Sequence, residues 1–149
     1  MSIPSFASLT VDEQHLLFKA PALVAVLVAG ADEQIDEKEE ALAQKLVSYR
    51  TFTSETQLHD YYEVVNEQFE TALGEAMQAW KANGGNGHLS SMLAGVNPIL
   101  PKLDAAYAKL LKDSWRSYAR KVAEASGGFL GMGSVSKEEL QVVDLPMIE

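Results

Sequence analysis

The chain has 149 residues, a formal net charge of -9 at pH 7 and no cysteine. Such an acidic chain, with no Lys/Arg cluster to offset it, repels phosphate backbones, so nucleic acid is excluded and cations or basic proteins are favoured as partners. The missing thiols remove disulfides, thiolate metal sites and cysteine nucleophiles, and the length suits one compact domain spanning residues 1–149.

The opening Met1-Ser2-Ile3-Pro4-Ser5 has neither a basic stretch nor a signal core after it, and a soluble, cytoplasmic protein is expected. Thr10-Val11-Asp12-Glu13 is a capping box, in which hydroxyl and carboxylate each accept a backbone N–H of the other residue; a helix should begin at Val11. Leu16, Ala20, Leu23 and Leu27 continue its inner face. Pro21 interrupts that pattern and predicts a short helix followed by a second one. The run Leu23 to Ala29 is apolar on every side, which fits a buried helix, and Ala20 to Ala31 is too short to span a bilayer.

An acidic elbow follows, with Asp32, Glu33, Asp36, Glu37, Glu39 and Glu40 between two apolar runs. Ile35, Leu42, Leu46 and Tyr49 then recur at helical spacing, predicting an amphipathic helix from Glu37 to about Tyr49. Thr51-Phe52-Thr53-Ser54 reads as a turn, and Ser54 to Gln57 as a second capping box. Leu58, Tyr62, Val65, Phe69, Ala72, Ala76 and Trp80 keep the three-and-four spacing of one long helix to about Ala82. Gly84-Gly85-Asn86-Gly87 ends it as a hinge inside the domain, with a short helix expected around Ser90 to Ala94. Asn97-Pro98 supplies a cap and first-turn proline for a second long helix on Leu103, Tyr107, Leu110, Leu111, Trp115, Tyr118 and Val122. The glycine-rich stretch Gly127 to Gly133 stops that helix, and Ser136-Lys137-Glu138-Glu139 caps a last one that Pro146 ends. No strand is predicted.

The two halves echo each other. Val28-Ala29-Gly30-Ala31-Asp32 leads through Ile35 to Glu39, and Val122-Ala123-Glu124-Ala125-Ser126 leads through Val135 to Glu139. This pattern predicts a pseudo-twofold repeat of helical hairpins whose elbows face each other, bringing Glu139 close to Asp32 or Glu39.

In Ala31-Asp32-x-x-Ile35-x-x-x-Glu39, and in Ala123 to Gly131 followed by Val135-Ser136-x-Glu138-Glu139, the chain resembles the tellurite-resistance TerB family of helical domains. The resemblance implies a single all-α domain of about seven helices. It also implies a divalent-cation site built from the elbow carboxylates, and a non-enzymatic scaffold in the response to tellurite and chemical stress, inside the cell or close to the membrane. The family usually has glycine after the elbow aspartate, where this chain has Glu33.

The elbow's own chemistry agrees with a hard cation, calcium or magnesium before zinc, since such ions take carboxylate oxygens from acidic loops. Asp32, Asp36, Glu39 and Glu40 form the partial ligand set, with Glu139 the fifth candidate. The elbow is not an EF-hand: counting from Asp32, Glu37 stands where glycine is needed and Ala43 where the bidentate glutamate belongs. Capping competes with binding, because Asp36-x-x-Glu39 and Ser136-x-x-Glu139 are themselves capping boxes. Asp32 alone has no capping role. A metal-free acidic module that docks a basic or membrane-associated protein is the alternative.

Other chemistry finds no footing. The glycine-rich loops lack the strand and third glycine of a dinucleotide site and the Lys-Ser/Thr of a phosphate loop. His15, His59 and His88 are isolated, no Glu-x-x-His pair occurs, and no serine has an elbow or a placed histidine. No organic cofactor is expected, and the inward aromatics read as core.

Overall fold

The computed structural model describes residues 6–29, 56–82, 86–129 and 145–148. They form four α-helices: α1 (Val11–Ala29), α2 (His59–Ala82), α3 (Asn86–Ala94) and α4 (Ala105–Phe129). Single-turn 3₁₀ segments stand at Thr56–Leu58 and Leu100–Lys102. Among the described residues there is no strand, and the fold class is all-α.

Helix α1 is the hub, packing against α2, α3 and α4. Its apolar run Leu23 to Val28 is buried all round, as a helix without a polar face must be. The expected capping box opens it: the Thr10 N–H donates to Glu13 Oε1 at 2.9 Å, and the Glu13 N–H to Thr10 Oγ1 at 3.1 Å. Glu13 also takes the Lys102 ammonium, tying this helix start to the turn before α4. The hydrogen bond from Lys102, then that from the Thr10 backbone, hold its carboxyl below the usual range.

Four boundaries differ from the sequence expectations. Helix α1 runs unbroken through Pro21 instead of dividing there. Proline lacks the N–H that should bond the carbonyl of Leu17, four residues back. That carbonyl instead accepts the Tyr61 hydroxyl of α2 at 2.6 Å, and the Trp115 indole N–H of α4 donates to the same tyrosine oxygen at 3.0 Å. The vacancy left by the ring is filled from α2, and α4 holds the tyrosine that fills it.

Helix α3 begins at Asn86 and not near Ser90, taking Gly87 into its first turn. A helical glycine costs about 1 kcal/mol; complete burial of Leu89 and Leu93 outweighs it. Asn97-Pro98 does not start the second long helix. Residues 95–99 turn, Pro101 sits in the 3₁₀ segment, and Asp104 caps α4 by accepting the Tyr107 N–H at 3.2 Å. Finally, α4 continues through Gly127 and Gly128 to Phe129.

Helical periodicity located the inner faces well. Tyr62, Val65, Phe69 and Ala76 of α2 are buried, as are Tyr107, Leu111, Trp115, Tyr118 and Val122 of α4. Ala72, Trp80 and Leu110 are half-buried against the same core. Tyr61, Val64 and Leu73 widen the buried stripe of α2 beyond the expected positions. The amphipathic helix after the elbow, the Ser54 capping box and the final helix fall outside the described residues.

Candidate functional site

All five proposed ligands, Asp32, Asp36, Glu39, Glu40 and Glu139, lie outside the described residues, as do Ile35 and Val135 of the internal echo. The echo's helical halves are described. Val28 on α1 and Val122 and Ala123 on α4 are all buried, and the two helices pack together.

The end of α1 supplies an electrostatic setting for the elbow. Helical peptide dipoles leave about half a negative charge at a helix C-terminus, where basic side chains normally lie. Helix α1 has no basic residue in its last turn, and in sequence it passes directly into the acidic run. The last turn of α4, which precedes Ser136 to Glu139 in sequence, also has none. Among the described residues no group of three or more His, Asp or Glu side chains is placed to hold a metal ion. His15 and His88 are exposed and His59 is half-buried.

Two features escaped the sequence reading. The first is a polar network inside the aromatic core. Phe6 makes edge contacts with Tyr61 and Tyr107, Phe18 stacks on Tyr61 at 5.8 Å, and Tyr61 meets Tyr62 edge-on at 5.0 Å. Within this cluster the Tyr62 hydroxyl pairs with Ser114, while the buried Tyr107 hydroxyl has no hydrogen-bond partner. Burial, reinforced by the charge of Asp60, pushes the Tyr107 phenol up to about 12; burial likewise raises Tyr61 well above its usual value. These phenols stay protonated at neutral pH, which suits packing and hydrogen bonding, not proton transfer. The periodicity of α2 and α4 marked the residues as inward-facing, but carried no signal of which hydroxyls would pair.

The second is an acidic stripe. Asp60, Glu63, Glu67 and Glu70 recur at three-and-four spacing on the exposed side of α2, one face of the helix. The spacing was readable from the sequence, between the apolar positions that define the opposite face.

A groove of about 290 Å³ also opens beside the turn before α4, over Leu100, Leu103 and Ala108, with Asn97 at its edge. No described helix is long and apolar enough to cross a membrane. Comparison with protein-family models, with curated proteins and with solved structures gives no match.

Proposed function

We propose that the chain is a non-enzymatic cytoplasmic domain of the TerB type, in which Asp32, Asp36, Glu39 and Glu40 bind a calcium or magnesium ion. On this reading Glu139 completes the site, and about seven helices arranged as a pseudo-twofold repeat of hairpins bring the two elbows together. The occupied site then organises a surface for a basic or membrane-associated partner in the response to tellurite and related stress.

One observation supports this reading above the rest: a helix whose Leu23–Val28 stretch is buried on every side, with no cation in its last turn, leads in sequence into the acidic run. Helix dipole and carboxylates are of one sign, and a bound cation relieves their repulsion. The second reading, a metal-free module docking basic proteins, draws support from the exposed stripe Asp60, Glu63, Glu67 and Glu70.

Calorimetric titration of chelator-stripped protein with calcium, magnesium, manganese and zinc separates the two. Saturable heat that disappears in both Asp32→Asn and Glu39→Gln supports the cation site. Glutamine still completes a capping box, so Glu39→Gln should leave thermal stability nearly unchanged in the absence of metal. No heat for any ion at millimolar concentration refutes the first reading. Salt-sensitive binding of a basic peptide, lost on replacing Glu63 and Glu67 by glutamine, would then favour the second.

A further inference from the structure

Positive charge in this acidic chain is concentrated on one helix and the turn before it. Residues 102–121 hold six of the chain's 12 Lys and Arg against two Asp and no Glu, although the net charge of the whole chain is -9. Spaced along the sequence, these cations form no run. Helical spacing of three and four gathers Lys109, Lys112, Arg116 and Arg120 along one side of α4, in a row of about 16 Å. Lys109 and Arg120 are exposed, and Lys112 and Arg116 are half-buried. Lys109 pairs with Asp113 at 2.8 Å, but both side chains are more than half exposed, and an ion pair of that kind is worth little. A visiting carboxylate can take the place of Asp113.

The groove beside the turn before α4 adjoins this row. Its floor is made by Leu100, Leu103 and Ala108, all buried, while Pro101 and Ala105 line it from exposed positions. Lys112 lines it too, one helical turn beyond Ala108 on the same face, so the apolar floor and the basic row are continuous. At about 290 Å³ the groove falls below the roughly 300–1,000 Å³ of sites that enclose a whole drug-sized ligand. It suits the side chains of a segment lying across it.

We propose that groove and basic row together dock an acidic peptide segment of a partner protein, its aliphatic side chains on Leu100, Leu103 and Ala108 and its carboxylates along Lys109, Lys112, Arg116 and Arg120. Charge complementarity selects this occupant. Screening confines the positive field of the row to about a Debye length, roughly 8 Å at physiological salt. A short acidic segment stays within that field, whereas an anionic membrane or a nucleic acid extends past it and meets the surplus carboxylates of the rest of the chain. The α2 stripe of a second copy has no exposed large hydrophobic side chain, so it brings charge without an anchor. The partner is opposite in sign to the basic protein proposed above, and its site is independent of the cation site.

Fluorescence anisotropy on the full-length chain tests the proposal, in chelator so that no cation bridges two acidic surfaces. The probe is a labelled peptide with two leucines one helical turn apart among glutamates. Saturable binding is expected, weakened about tenfold or more when salt rises from roughly 0.05 M to 0.5 M. Lys109→Glu/Arg120→Glu reverses charge at two exposed positions and should weaken binding about tenfold or more. Ala105→Phe fills the groove from an exposed position and should weaken it to a similar degree, as should replacing the leucines of the peptide by serine. Melting temperatures within about 3 °C of wild type show that the variants are folded.

No saturable binding at low salt refutes the proposal. Binding that survives Ala105→Phe, or that the serine peptide matches, reduces the surface to unspecific charge and overturns it. Equal or tighter binding of phosphatidylserine vesicles or of a single-stranded oligonucleotide replaces the peptide as occupant. Salt-sensitive self-association of the chain, abolished by the same variants, puts a second copy there instead and equally overturns it.

Discussion

Pro21 shows how a residue unfavourable in isolation becomes tolerable through the partners of its neighbours. Removing the Tyr61 hydroxyl leaves two buried groups without partners, the Leu17 carbonyl and the Trp115 indole N–H, so Tyr61→Phe should destabilise the protein by about 2–4 kcal/mol. In a Pro21→Ala background the same change should cost at least about 1 kcal/mol less, since alanine restores the helical donor to Leu17. Denaturant unfolding of the four proteins measures that coupling, and additive losses would refute the account. Tyr107→Phe should act in the opposite sense, because its hydroxyl is buried with no partner. Deleting it should stabilise by about 1 kcal/mol, or raise Tm by about 3 °C. The same residues set the alkaline limit. Folded Tyr107 ionises near 12 and Tyr61 is also raised, whereas unfolded tyrosines ionise near 10. Stability is therefore full below about pH 10 and falls as pH rises towards the folded values. Denaturation midpoints at pH 8, 10 and 11 should decline, and less steeply for Tyr107→Phe; a level series would contradict the burial of these phenols.

Among the elements, what local chemistry controls was legible in advance. The Thr10–Glu13 box closes within one turn, and the inner faces of α2 and α4 follow from apolar spacing alone. Two of the misplaced boundaries are decided by distant groups. Asn97 has the side chain of a helix cap, but its amide holds the Met147 carbonyl, and Asp104 caps α4 instead. Pro21 reads as a helix break because its compensation lies on α2 and α4. The end of α3 carries a constraint of close approach: a β-carbon on Gly95 would lie 3.0 Å from both the Met92 carbonyl oxygen and Leu16 of α1. Gly95→Ala should therefore push α3 from α1 and lower Tm, whereas Gly87→Ala, which meets nothing within 4 Å and relieves a helical glycine, should raise it. Parallel melting curves of the two variants decide this, and equal shifts would contradict the packing.

At the scale of the molecule, charge and hydrophobicity are partitioned. The apolar faces of the four helices merge into one buried cluster, while the stripe Asp60 to Glu70 stays outside. The acidic elbow was legible as a concentration of charge because it adjoins an uncharged run. A meeting of Asp32 to Glu40 with Glu139 was not legible in the same way, since these residues are far apart in sequence and no local pattern encodes contact between them. The network around Leu17 has a consequence for the order of assembly. Its two bonds join residues separated by 44 and 54 positions along the chain. Before those segments meet, the Leu17 carbonyl has only solvent, and the turn around Pro21 gains nothing from becoming helical. The middle of α1 should thus consolidate after the folding barrier is crossed, although the chain there is the most apolar part of the molecule. Tyr61→Phe should then accelerate unfolding and leave the refolding rate almost unchanged, a φ-value near zero in the arms of the chevron.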